Sequence, residues 1–146
     1  MFDSTAHPLR QRQADLAARI VDLQHARQPE IWKPDGLPGR QKSVRDAVHH
    51  LTYLAESLEA DAPALFSEYL AWLKALFAGL KFPTDVLPTT LECTRQPLGE
   101  ALPAGEREAA LAILEMGLRS LETAVEEPVS FLYATPPWPA WRAVTW

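Results

Sequence analysis

The chemistry of this 146-residue chain is concentrated in the run Lys42-Ser43-Val44-Arg45-Asp46-Ala47-Val48-His49-His50-Leu51. On a helix, Arg45, His49 and Thr52 fall at i, i+4 and i+7, and Asp46 and His50 form the neighbouring i, i+4 row. One flank of that helix collects a guanidinium, a carboxylate and two imidazoles. The other flank, with Val44, Ala47, Val48 and Leu51, is apolar and faces a core. Just upstream lie Trp32, Lys33, Arg40 and Lys42, an aromatic and several cations near the same helix end. Together they suit a flat, partly apolar, anionic ligand. The plainer reading of the same residues is a solvated helix face, where charge pairs contribute little.

Other chemistries find no footing. The six glycines are scattered, so no phosphate-cradling loop forms, and there is no G-x-S-x-G turn for a nucleophile. Cys93 is the only cysteine, which rules out an internal disulfide and a cysteine-rich zinc site. His49 and His50 are adjacent and point about 100° apart on a helix, so they do not chelate one metal. A single imidazole is enough to ligate haem, and that possibility stays open. No enzymatic activity and no resident metal are expected. With 14 Lys+Arg against 19 Asp+Glu, the net charge of −5 argues against a general nucleic-acid binder. No apolar run approaches the ~18 residues of a membrane span, and residues 1–12 lack a signal core. A cytoplasmic protein is the expectation.

The elements that must position these groups are helices. Hydrophobic residues make up 47 % and charged residues 23 %, ordinary globular usage for one domain. Leu16, Ile20 and Leu23 predict a helix from Leu9 to Gln28, stopped by Pro29. Gln28 to Arg40, with three prolines and two glycines, predicts an ordered loop anchored by Ile31 and Trp32. The next helix is predicted over Gln41 to Glu59. Asp61 is expected to cap another, with Pro63 in its first turn, reaching about Leu80. A shorter helix follows from Phe82-Pro83-Thr84 to Arg95, and a last one from about Ala104 to Val125. Val129 to Tyr133 is the one scrap with strand character. The tail, residues 126–146, gathers Trp138, Trp141 and Trp146 among prolines. Each indole buries up to about 250 Å², so the tail is expected to fold back on the helices or to cover a partner. The fold class is all-α, with five or six helices in a single domain over 1–146.

The central run resembles the chromophore motif of the phycobiliproteins, K-C-x-R-D-x-x-Y-Y-L. Gln28-Pro29-Glu30-Ile31 and Pro34-Asp35-Gly36 are similar to the loop of form P-D-I-x-x-P-G-G that precedes it. Ala60, Glu68, Tyr69 and Leu70 fall without a gap where those proteins have their A-G-D/G turn and D-E-Y-L helix start. The similarity runs from about Ala17 to Leu98 and is densest over residues 28–70. The chain looks most like the non-photosynthetic, bilin-biosynthesis-associated globins of bacteria. Its pattern H-L-x-Y-L-A-E-x-L, followed by L-F-x-x-Y-x-x-W, also resembles the helical region preceding cobalamin-binding domains. Ser43 replaces the bilin-attaching cysteine, His49 and His50 replace paired tyrosines, and a later aromatic pair is absent around Thr84 to Val86.

The resemblance implies a globin-like helical domain that binds a bilin, such as biliverdin or a reduced bilin, as carrier, store or sensor. A hydroxyl without a base is a poor nucleophile, so Ser43 implies non-covalent binding. Asp46 matches the aspartate that accepts the inner pyrrole N–H groups, and Arg45 the arginine that pairs with a propionate. Lys42 or Arg40 would meet the second propionate. His49 and His50 would stack on the rings or bond a lactam carbonyl, and Tyr69 and Trp72 would wall the pocket. The resemblance further implies a homodimer, with bilin-producing enzymes as partners. The alternatives are a ligand-free helical dimerisation module and a haem-binding globin using His49 or His50.

Overall fold

A computed structural model describes residues 7–32 and 37–123. Among these the chain is all-α: α1 (His7–Gln11), α2 (Gln13–Arg27), a 3-10 turn (Pro29–Trp32), α3 (Leu37–Glu59), α4 (Pro63–Gly79), α5 (Val86–Glu92), α6 (Arg95–Ala101) and α7 (Ala104–Leu121). The Trp-rich tail and the strand-like scrap at Val129 to Tyr133 lie outside the described residues.

Several helix boundaries differ from the sequence expectation, each for a local reason. The single N-terminal helix is two, broken at Arg12, whose backbone leaves the helical range at φ −103° and ψ 8° while its carbonyl accepts from Leu16 N–H at 2.8 Å to start the second helix. The helix bearing the central run starts at Leu37, so Pro38, Gly39 and Arg40 form its first turn instead of a loop. A proline there is no obstacle, because first-turn N–H groups have no partner within the helix. Asp61 does not cap α4. It closes α3 in the left-handed region, φ 49°, with Asp61 N–H on Leu58 O and Ala62 N–H on Ser57 O. That pair of bonds is the Schellman ending. The end of α4 repeats it at Lys81, φ 62°, where Phe82 N–H meets Phe77 O and the Phe77 and Phe82 rings pack edge-on at 4.9 Å. The short helix after Phe82 is also two, α5 and α6. Pro88 and Pro97 each sit in the first turn of their own helix, where they are tolerated.

Packing follows the apolar stripes. α2 lies along α3 and α4 along α7, and α3 touches both pairs. The core joins Leu16 and Ile20 of α2, Leu51 and Leu54 of α3, Phe66, Leu70 and Leu73 of α4, and Leu114 of α7. α4 and α7 meet at Gly117, where an added Cβ would lie 2.6 Å from Leu70 Cδ1 and 3.0 Å from Phe66 Cδ2. Both neighbours are buried and have little room to give. Overpacking costs about 1–3 kcal/mol and helix propensity returns at most ~1. Gly117→Ala is therefore expected to lower the urea midpoint by a net ~1–2 kcal/mol of stability. Gly105→Ala, with nothing within 4 Å, is expected to leave it unchanged or raise it. Equal midpoints for the two variants would remove the close approach as the reason for glycine at 117.

Candidate functional site

The amphipathic α3 turns its polar flank toward a cleft of about 370 Å³. α3 supplies Lys42, Ser43, Asp46 and His50, spaced so that they lie along one side of the helix. The opposite wall comes from far along the chain, with Phe77 at the end of α4, Phe82 and Pro83 in the following turn, and Val86 and Thr90 of α5. Gln24 closes the floor. Its buried amide donates to Gln28 Oε1 and Val86 O, both at 3.0 Å, and accepts from Thr90 Oγ1 at 2.7 Å. This network fixes α5 to α2 and so sets the width of the cleft.

Asp46 is the chemically unusual member. Its carboxylate receives no hydrogen bond from a described residue, and burial pushes it up to about 6 against the opposing pull of Lys42 and Arg45. A group in that state gains by accepting N–H donors or a positive charge. His50, one turn on, is buried, and its Nδ1 lies 2.6 Å from the Tyr69 hydroxyl. Burial lowers it to about 3, with His49 adding to the effect, so the imidazole is neutral at physiological pH. Ser43 Oγ accepts from the Trp32 indole N–H at 3.2 Å, and the Trp32 ring stacks on His25 at 3.8 Å. The expected anchoring by Trp32 is therefore realised through His25 and Ser43.

The remaining sequence candidates are not all brought to this cleft. Arg40 turns to Asp22, with its Nε and a terminal nitrogen 3.1 and 3.2 Å from the two carboxylate oxygens. Arg45 is exposed and His49 is buried, and neither belongs to the cleft lining. Tyr69 is not a wall. It is completely buried behind His50, stacked on Tyr53 at 4.0 Å and followed by Trp72 at 6.3 Å. Lys33 lies outside the described residues. The expected cluster of cations is thus reduced to Lys42, while Glu30, Asp46 and Asp85 give the lining an acidic balance. The described lining favours positive, N–H-rich ligand surface over a purely anionic ligand.

Gln24, Phe77, Phe82 and Thr90 are site residues that sequence reasoning missed. Gln24 had a signal, since it sits four residues after Ile20 on an otherwise apolar face. The others had none before α5 was placed.

Among the described residues no three His, Cys, Asp or Glu side chains gather to hold a metal ion, and no helix is long and apolar enough to cross a membrane. Comparison with protein-family models, curated proteins and solved structures finds no match.

Proposed function

We propose that the chain binds an open-chain tetrapyrrole, biliverdin or a reduced bilin, without covalent attachment, as a carrier, store or sensor beside haem breakdown. The observation that carries this reading is Asp46, a carboxylate held up at about 6 in a cleft walled by Phe77 and Phe82, with no donor from the described residues. The inner N–H groups of a bilin supply the missing donors, and the ionised carboxylate favours a protonated, cationic chromophore. Lys42 at the lining meets one propionate, and the second extends to solvent because Arg40 is engaged by Asp22. Ser43, already accepting from Trp32, contributes a polar contact and no thioether. The resemblance of residues 28–70 to the phycobiliproteins supports the same ligand, a globin-like arrangement of the helices and a homodimer.

A haem-binding reading has one observation of its own. His50 is neutral, lines the cleft and is steered at Nδ1 by Tyr69, the kind of outer partner that orients a ligating imidazole. Visible spectra separate the two. With biliverdin, the expected result is a sharpened and strengthened long-wavelength band at equimolar protein, and with haemin an unshifted absorption. A haemin shift with an unchanged biliverdin spectrum would transfer the site to haem. Unchanged spectra with both would leave a ligand-free interaction module.

A further inference from the structure

A second, larger groove of about 640 Å³ lies on the other side of Phe77, Phe82 and Pro83, bounded by α5 and the last turns of α7. Its apolar lining adds Leu87, Pro88 and Leu118. The charges at its edge balance and are largely engaged: Arg95 holds Glu115 through two nitrogens, Glu92 pairs with Arg27, and Lys74 Nζ donates to the Leu121 carbonyl at 2.6 Å. A groove of this kind selects for apolar, nearly uncharged chain and offers little to a charged partner.

The chain itself carries such a segment, and it departs from the groove's edge. α7 ends at Leu121, and both Leu121 and Glu122 line the groove. From 128 to 146 the sequence has one charged side chain, Arg142, and contains Pro136-Pro137-Trp138-Pro139-Ala140-Trp141. Proline pairs favour the extended polyproline conformation, whose preferred receptors are grooves lined by aromatic and proline rings. Tethering at the edge gives the segment a millimolar effective concentration, so modest contacts are enough to hold it. We infer that this groove is the docking site of the chain's own Trp/Pro segment, with Trp138 or Trp141 seated against Phe82, Pro88 and Leu118. The inference does not depend on the tetrapyrrole reading.

Indole N–H resonances of the full-length protein test it, with Trp138→Phe and Trp141→Phe assigning the signals. At least one tail indole is expected to be dispersed and protected from exchange. In Leu118→Arg it is expected to collapse to the random-coil position while Trp32 and Trp72 keep their shifts. A nitroxide on Thr84→Cys, an exposed residue of the groove lining, in a Cys93→Ser background, reads the same contact and is expected to erase the docked signal, which returns at its docked position when the nitroxide is reduced. Tail indoles at random-coil positions in the unsubstituted chain, or no paramagnetic loss, would overturn the proposal. So would protection that vanishes on dilution, which would assign the groove to a second copy.

Discussion

Asp46→Asn is expected to weaken biliverdin binding about tenfold to hundredfold and, in the same variant, to raise the stability of the ligand-free protein. The two effects share one cause. In the free protein the carboxylate is charged at neutral pH although burial raises it from 3.8 to about 6, so folding works against that charge by roughly 2–3 kcal/mol. The neutral amide removes the cost. In the complex the charge accepts pyrrole N–H groups, and losing a charge-assisted bond costs about 1.5–3 kcal/mol, which is the quoted range in affinity. The long-wavelength band is expected to weaken as well, because the cationic chromophore loses its counter-charge. Arg45→Ala, at an exposed position outside the cleft, serves as the comparison and is expected to change the spectrum less. Titration of the apo protein with biliverdin and urea unfolding without it give the two numbers. An Asn variant with unaltered affinity would remove Asp46 from the site, and one less stable than the parent would show that the carboxylate is compensated in the free protein.

How far such a site can be read from sequence depends on how local its parts are. α3 and α4 were legible because long stripes with a 3.6-residue period, such as Val44 to Leu58 and Phe66 to Phe77, leave no alternative. The row of Asp46 and His50 was legible for the same reason, since one helix fixes their common side, whereas Arg45 and His49, read onto the same flank, fall outside the cleft. The far wall was not legible, because Phe77, Phe82 and Thr90 reach α3 only through the crossing of α4 and the anchoring of α5 by Gln24. Tyr69 illustrates the limit. It shares the buried stripe of α4 with Phe77, yet it packs on Tyr53 while Phe77, two turns later, reaches the cleft. Periodicity assigns a face, and the helix crossing decides which turn of that face meets a ligand. Asp61 was misread because the same residue type caps helix starts and tolerates the left-handed backbone of helix ends.

Acidification is expected to destabilise the ligand-free protein by about 2–3 kcal/mol between pH 6.5 and 4.5, a slope set by two histidines against one carboxylate. Burial lowers His49 to about 4 and His50 to about 3, from an ordinary 6.5. The unfolded chain therefore binds protons there that the folded chain refuses, and stability present above 6.5 is lost as pH falls toward the folded values. Asp46 acts in the opposite direction. Its folded value of about 6 lies above the unfolded 3.8, so its protonation favours the folded state as pH falls through that window. Near pH 5 the two imidazoles take up close to two protons on unfolding and Asp46 releases close to one. The net uptake of about one proton corresponds to ~1.4 kcal/mol per pH unit. Asp46→Asn removes the opposing group and is expected to nearly double the slope. Urea midpoints of both proteins at half-unit steps from pH 4.5 to 7 measure it. A parent slope of zero or of reversed sign would mean that at least one of the two imidazoles is charged inside the fold, and a charged His50 would lack the neutral state that the haem-binding reading requires of it.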